Sequence, residues 1–261
     1  MSEPQTFWEH LDELRSSIIR MLVVVMSCAV VAFFFKEAIF EVILSPQQNE
    51  FITYRLLDSL TKFFSSSEES GLEPMSVRLI NTGLAQQFFI HVKVSIAIGF
   101  MASLPYVIYL LFRFVSPALY ANERQCAIQL VSWGYVMFLA GVLVCFFLIF
   151  PLTFRFLGMY QVSEVVENTV TIESYIDTLM TMSVSMGIVF EIPVMCWILG
   201  RLGVISANVM RQFRRHVIVA LLVLAAIITP TTDIFTLMLV AMPMWMLYEL
   251  SIFIVGLHSR K

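Results

Sequence analysis

The sequence predicts an all-α, polytopic membrane protein with six transmembrane helices and both termini in the cytoplasm. Three observations predict this class. Of the 261 residues, 59% are hydrophobic and only 13% are charged, whereas soluble domains average roughly 45–50% and about 25%. The apolar residues gather in runs, several of which reach the about 20 residues that a helix needs to cross the hydrocarbon core. Lys and Arg are concentrated in the short segments that separate alternate runs.

This composition excludes several classes of protein. A cytosolic enzyme or a disordered chain would need more charged surface than 13% charged residues can supply. The net charge of −3 gives no field that would attract nucleic acid. Phosphate-loop, zinc-helix and nucleophile-elbow motifs are missing from the sequence, and its four histidines are scattered. We therefore expect no catalysis, no cofactor and no metal site.

Six apolar runs are the candidate spans, and they form one membrane domain over residues 1–261. They cover residues 18–35, 94–114, 126–150, 179–199, 216–229 and 234–256. A long external loop, 36–93, is expected to be partly helical. Helices 5 and 6 are predicted to be short, because the fifth run has about 14 residues and Glu249 interrupts the sixth after about 15.

The distribution of charge sets the orientation. With the N-terminus inside, the short cytoplasmic segments hold ten of the sixteen Lys and Arg residues, and the much longer external loops hold six. Twelve acidic residues lie outside and five inside. The positive-inside rule therefore predicts that both termini are cytoplasmic.

The N-terminal segment contains the first candidate site. Thr6 and Glu9 have the spacing of a capping box, which predicts that a helix starts here. Glu13 lies one turn after Glu9, and like charges four residues apart are mildly unfavourable. Glu13 is then either a solvated charge with a local arginine partner or an acid that would accept a cationic ligand.

A second acid lies in the loop between the second and third runs. Glu123 is the only acidic residue of that loop. Spacing alone allows a surface pair with Arg124 or a favourable charge at the start of the third helix.

Two further acids interrupt apolar helices. Glu191 lies inside the fourth run, two residues before Pro193, which should kink the helix. A carboxyl group at bilayer depth usually faces protein, water or a partner, so Glu191 is predicted to be functional. Glu249 lies late in the sixth run, where an ordinary interfacial charge is the simpler interpretation.

Taken together, these segments resemble the TatC family, the multi-span receptor subunit of the twin-arginine protein translocase. The resemblance covers nearly the whole chain. The matching residues are His10-Leu11, Glu13-Leu14-Arg15, Ser45-Pro46, Phe114, Pro117-Ala118-Leu119-Tyr120, Glu123-Arg124, Phe150-Pro151, Phe156-Leu157, Phe190-Glu191-Ile192-Pro193, Thr229-Pro230, Asp233, Pro243-Met244 and Glu249.

The resemblance implies a concave, glove-like bundle of six helices in the bacterial plasma membrane. Its function would be to bind the twin-arginine signal peptides of folded precursor proteins at the cytoplasmic face, for export driven by the proton-motive force. Glu13 and Glu123 would contact the two arginines of the signal. The other residues of this implied site are His10, Arg15, Phe114, Pro117, Leu119 and Tyr120.

The resemblance also implies partners within the membrane. Glu191, with Pro193 beside it and Glu249 as a second polar position, would meet TatA- or TatB-like single-span subunits, and the chain would self-associate in a receptor complex. Pro46 and Asp233 would shape external turns. Short helices 5 and 6 would thin the bilayer locally.

Some features depart from the family pattern, and one alternative function stays open. Gln125 replaces a second basic residue, Leu139 replaces an aromatic one, and residues 65–73 add polar positions to the first loop. The alternative is a proton- or ion-coupled transporter of a small solute that uses Glu191. Such folds often have matching halves with broken helices, and no repeat is visible here.

Overall fold

The computed structural model describes residues 7–64, 77–115, 127–160, 168–201, 203–229, 231 and 233–258, in places by the backbone alone. Helices dominate it. The α-helices are α1 (Phe7–Phe34), α2 (Lys36–Leu44), α3 (Ile52–Phe64), α4 (Gln86–Val115), α5 (Ala127–Val144), α6 (Phe150–Met159), α7 (Ile172–Phe190), α8 (Ile192–Arg201), α9 (Ala207–Gln212), α10 (Arg214–Ile228) and α11 (Ile234–His258). A 3₁₀ turn (Ser45–Gln47), a π-helical turn (Cys145–Ile149) and two short strands, β1 (Arg78–Ile80) and β2 (Thr169–Thr171), complete the described elements.

Within the described residues, five helical segments are long and apolar enough to cross a membrane. They are Leu11–Phe34, Gln86–Leu111, Val131–Met159, Ile172–Arg201 and Ile234–Leu257. The third runs through α5, the π-helical turn and α6, and the fourth joins α7 and α8. The predicted class, an all-α polytopic membrane protein, is confirmed.

Helices 5 and 6 are both predicted to be short, and the prediction is correct for the fifth helix and wrong for the sixth. Helix α10 has 15 residues, or about 22 Å at 1.5 Å per residue, which is short against a hydrocarbon core of about 30 Å. Helix α11 has 25 residues and continues past Glu249. Because the Glu249 carboxylate is paired with Arg214 at the protein surface, it does not end the helix. Of these two helices, only α10 is short.

Contacts between Cα atoms divide the chain into two compact units. The first comprises Met1–Lys36 and His91–Met137. In it, Gly99 of α4 lies against the backbone of Ala29 in α1, where a Cβ atom at Gly99 would come within 2.5 Å of the Ala29 nitrogen. Near the end of α1, the His91 ring stacks on Phe33 with a centroid distance of 4.0 Å. Small residues thus permit close contact between these two membrane helices.

The second unit comprises Glu37–Ile90 and Phe138–Lys261. Helices α5 and α7 approach closely in it, because Gly141 faces the Met186 carbonyl oxygen and Gly187 faces the Phe138 ring. Helix α8 packs along α11, and α10 packs against α11 as well.

The described parts of the predicted external loop are joined to the second unit by contacts distant in sequence. Strands β1 and β2 pair in parallel, with Leu79 opposite Val170. The Gln86 side chain accepts from the backbone N–H groups of Thr82 and Gly83, each at 3.0 Å, and donates to Glu173 at 2.6 Å. As expected, the loop is partly helical, since it contains α2 and α3.

Candidate functional site

The structure describes only part of the predicted cytoplasmic site. Helix α1 carries Glu13 and Arg15. For His10 in α1 and Phe114 in α4 the backbone is described. Four of the predicted site residues lie outside the described residues, namely Pro117, Leu119, Tyr120 and Glu123. Gln125 and residues 65–73 lie outside them as well.

Glu13 differs from the neighbouring acid on the same helix. Asp12 is exposed, whereas Glu13 is half-buried. One oxygen of the Glu13 carboxylate is buried and has no hydrogen-bond partner among the described residues. A buried acceptor without a donor carries a desolvation cost of about 1–3 kcal/mol, and more when the group is charged. A hydrogen-bond donor from a ligand would offset that cost, and a cationic donor would offset it more than a neutral one.

Glu191 lies at a break in the fourth membrane segment. Helix α7 ends at Phe190 and α8 begins at Ile192, so Glu191 occupies the joint between them. Its N–H donates at 3.1 Å to the Ile188 carbonyl, three residues earlier. This is the 3₁₀ pattern, which winds the chain more tightly than the α-helical bond to the fourth residue back. Pro193 follows and has no N–H to continue the ladder. The break is the kink that Pro193 predicts.

The Glu191 side chain is half-buried in this joint. Its Oε1 atom is buried and has no hydrogen-bond partner within the described part of the chain. Gly187 lies one turn earlier, and its contact with Phe138 fixes α7 against α5. The joint therefore holds a carboxyl group at membrane depth on a tightly packed helix pair, with hydrogen-bonding capacity left over.

Glu249 is in a different situation. Its carboxylate accepts from Arg214 at 2.6 Å, and the two side chains are 32% and 45% exposed. On the preceding residue, the Tyr248 hydroxyl donates to the Met210 carbonyl at 2.9 Å. Glu249 thus joins α11 to the start of α10, and the structure supports the simpler interpretation of this acid as a surface charge.

Pro46 and Asp233 both lie in connections between helices. Pro46 is buried in the 3₁₀ turn, and its carbonyl accepts from the Tyr54 hydroxyl at 3.1 Å. Asp233 precedes α11 and accepts from the Thr236 N–H at 2.8 Å and the Thr231 hydroxyl at 2.5 Å. Burial works against the Asp233 charge, but the hydrogen bonds from Thr231, Thr236 and the Phe235 N–H outweigh it and lower its pKa.

Two kinds of structural residue escape prediction from the sequence. Gly187 has no other glycine in α7, Gly141 lies seven residues after Gly134 in α5, and no G-x-x-x-G spacing marks either of them. Thr53 and Tyr54, in the first loop, dock α3 onto the membrane segment around Phe147. Each of these residues is recognised only by its contact with a segment distant in sequence. The sequence alone therefore contains no signal for the two glycines or for Thr53 and Tyr54.

A small recess lies within the second unit, away from these acids. Its volume is about 260 Å³. It is lined by residues of α6, β2 and the start of α7 together with Thr231, among them Phe154, Leu157, Val170 and Thr178. Within the described residues, no group of three His, Cys, Asp or Glu side chains could hold a metal ion.

Comparison with known proteins assigns the family. Residues 9–243 match the family profile described as "Sec-independent protein translocase protein (TatC)". A protein of that name from Blattabacterium sp. subsp. Periplaneta americana (strain BPLAN) is 33% identical over 257 residues, which covers 98% of this chain and 96% of the relative. The namesake from Aquifex aeolicus (strain VF5) is 32% identical over 254 residues, covering 97% of this chain and 95% of the relative.

Solved structures agree with this assignment. A crystal structure of the "Twin Arginine Translocase Receptor- TatC" superimposes with a TM-score of 0.75 and 30% identity, covering 97% of this chain and all of the other. A second, solved in DDM, gives a TM-score of 0.76 at 30% identity and covers 94% of this chain and 98% of the other. The family consists of protein translocase components and not of enzymes. The chain therefore belongs to the TatC family of Sec-independent protein translocase proteins, as its sequence motifs predict.

Proposed function

We propose that this chain is the subunit that binds twin-arginine signal peptides at the cytoplasmic face of a bacterial plasma membrane. Glu13 and Glu123 would accept the two signal arginines. The observation that carries the proposal is the buried oxygen of Glu13, which has no hydrogen-bond partner among the described residues, on a helix where the neighbouring Asp12 is exposed. The similar crystal structures are of a twin-arginine translocase receptor, which supports the same role.

The chemistry of the two groups explains the preference for arginine. A guanidinium group presents a planar fork of N–H donors that matches both oxygens of a carboxylate, whereas the Lys ammonium group is a compact point charge. A hydrogen bond to a charged group contributes about 1.5–3 kcal/mol before desolvation is subtracted. Two carboxylates on separate segments would therefore distinguish an Arg-Arg pair from Lys-Lys.

The second part of the proposal concerns Glu191. With one oxygen buried and without a partner among the described residues, its carboxyl group would bond to a polar side chain of a TatA- or TatB-like single-span subunit. Export would follow from this contact, with the proton-motive force as its energy source. Glu249 would contribute less to the partner contact, because its carboxylate is already paired with Arg214.

The proposed orientation follows from the charge distribution. Ten basic residues fall in the short segments assigned to the cytoplasm, so both termini lie inside. The short α10 would thin the bilayer beside it. A sixth crossing formed by α10, a concave bundle and self-association of the receptor complete the proposal.

Signal-peptide crosslinking tests the receptor role. A twin-arginine signal carrying a photoreactive residue is offered to membranes with the wild-type chain, Glu13→Ala, Glu123→Ala or the control Asp12→Ala. We expect strong crosslinks for wild type and Asp12→Ala and weak ones for the two Glu variants. A Lys-Lys signal should crosslink weakly to all four. Equal crosslinking by the Lys-Lys signal, or full crosslinking by both Glu variants, would refute the proposal.

Glu191→Ala separates binding from transport. We expect it to crosslink the signal as wild type does but to export a folded precursor poorly, because the partner contact is lost. If Glu191→Ala loses the signal crosslink as well, the assignment of Glu191 to the partner contact is wrong.

A further inference from the structure

Helix α3 lies against the third membrane segment and has a well-defined packed face. The Thr53 hydroxyl donates to the Phe147 carbonyl in the π-helical turn. The Tyr54 hydroxyl donates to the Pro151 carbonyl at 3.1 Å as well as to Pro46. Just before the helix, the buried Phe51 ring stacks on Phe147 at a centroid distance of 5.7 Å. These contacts fix where α3 lies along the membrane segment.

The depth of this docking point can be estimated from the membrane segment itself. The apolar run that contains this segment begins at residue 126, just after Arg124, and Phe147 is 21 residues further on, or about 31 Å along a helix at 1.5 Å per residue. A hydrocarbon core of about 30 Å that begins with this run would then end close to Phe147. Interfacial helices insert their apolar face about 5–10 Å below the headgroup boundary. Helix α3 therefore begins close to the boundary at which such helices lie.

The side of α3 that faces away from the protein is divided between apolar and charged residues. Ile52 and Leu56, one turn apart, are 58% and 59% exposed. The charged edge carries two ion pairs, Arg55 with Glu50 at 2.9 Å and Lys62 with Asp58 at 2.6 Å. At 3.6 residues per turn, Arg55 and Lys62 point about 90° away from the Ile52–Leu56 row.

The membrane segment that carries α3 also has exposed apolar residues, among them Leu143 and Leu148. Because this segment is long and apolar enough to cross a membrane, such residues would contact acyl chains. At the same depth, Ile52 and Leu56 would contact them too, and burying each apolar side chain in lipid is favourable by about 1.5–3 kcal/mol.

We propose that α3 is an interfacial helix that inserts Ile52 and Leu56 into the bilayer leaflet on the Met159 side of the third segment. That leaflet is the outer one in the orientation proposed above. The occupant of the exposed row is lipid, while Arg55 and Lys62 stay in water. Helix α3 then couples the outer leaflet directly to the π-helical turn through Thr53 and Phe147. The inference depends on the membrane fold and not on signal recognition.

Spin-label accessibility in lipid nanodiscs tests this placement. Single nitroxide labels are attached at Ile52→Cys and Leu56→Cys, with Arg55→Cys and Lys62→Cys as controls on the same helix. The four native cysteines are replaced beforehand. We expect a ratio of oxygen to nickel-chelate collisions severalfold higher at 52 and 56 than at 55 and 62, because oxygen partitions into hydrocarbon and the chelate stays in water.

Two results would overturn the proposal. Strong nickel-chelate collisions at all four positions would place α3 in water, and weak collisions with both reagents at 52 and 56 would show that protein covers the row. Benzoylphenylalanine at the same four positions, in the chain with its native cysteines, provides a second measurement in proteoliposomes. Phospholipid adducts should form severalfold more at 52 and 56 than at 55 and 62, and equal yields would refute the lipid contact.

Discussion

A single added methyl group at Gly141 is expected to separate two membrane helices. A Cβ atom there would lie 2.6 Å from the Met186 carbonyl oxygen, 2.8 Å from Cγ of Phe190 and 2.9 Å from Cα of Gly187. Two of these three atoms belong to backbone and cannot rotate away. Since ordinary contact begins at 3.4 Å, α5 and α7 must move apart by several tenths of an ångström at this level.

The expected magnitude combines two opposing effects. Forcing extra volume into a close-packed contact costs about 1–3 kcal/mol. Replacing Gly by Ala inside a helix favours folding by about 1 kcal/mol through helix propensity. Gly256→Ala is the matched control, because its Cβ would meet only Ala207 at 3.6 Å, an ordinary contact. The difference between the two variants isolates the packing effect at about 1–3 kcal/mol.

Equilibrium unfolding by SDS in mixed micelles measures this difference. We expect the free energy of unfolding to be lower for Gly141→Ala than for Gly256→Ala by that amount, and Gly256→Ala to equal or exceed wild type. Equal stability of the two variants would refute the close approach of α5 and α7. Export activity should also fall in Gly141→Ala, because the joint that holds Glu191 lies one turn beyond Gly187.

Three further predictions follow from single side chains. Tyr54→Phe should lower the free energy of unfolding by about 1–3 kcal/mol at pH 8, because two buried carbonyl groups lose their donor. Burial raises the pKa of Tyr54 to about 12, against the opposing effect of Arg155. The stability from the neutral phenol is therefore complete below pH 10 and lost toward pH 12, so a pH titration of unfolding should show the gap between Tyr54→Phe and wild type narrowing over that range. Asp233→Ala should cost about 0.5–2 kcal/mol at pH 7 through loss of the helix cap. The lowered pKa of Asp233 means that this gap persists above pH 4 and closes as acid protonates the wild-type carboxyl group, and unchanged stability at pH 7 would contradict the cap. Glu249→Gln should change unfolding by no more than about 1 kcal/mol, since its pair with Arg214 is partly exposed, and a larger loss would mean a buried role.

The sequence predicts the membrane helices well, because lipid as solvent imposes a strong and local rule. Every predicted span coincides largely with described helical residues, and the break beside Pro193 lies where the missing N–H requires it. The prediction of a short sixth helix is wrong, since α11 has 25 residues. Hydropathy treats Glu249 as an interruption, whereas the pair with Arg214, 35 residues earlier, lets the helix continue.

Contacts between distant segments could not be predicted. Strands β1 and β2 are only three residues each, and their partners lie about 90 positions apart, so neither has a recognisable pattern alone. In the π-helical turn, the Phe147 carbonyl accepts from the Thr53 hydroxyl, a contact that no local feature of residues 145–149 predicts. At the candidate site, the burial of a Glu13 oxygen distinguishes it from Asp12, and spacing alone treats both as helix acids.

A double-mutant cycle tests the receptor proposal most directly. The dissociation constant of a signal peptide with Arg-Arg or with one arginine replaced by Gln is measured on the purified chain in nanodiscs, for wild type, Glu13→Gln, Glu123→Gln and the exposed control Asp12→Asn. We predict coupling energies of about 1–3 kcal/mol for each of the two Glu residues with a signal arginine, and near zero for Asp12. Zero coupling at both Glu13 and Glu123 would contradict the proposal.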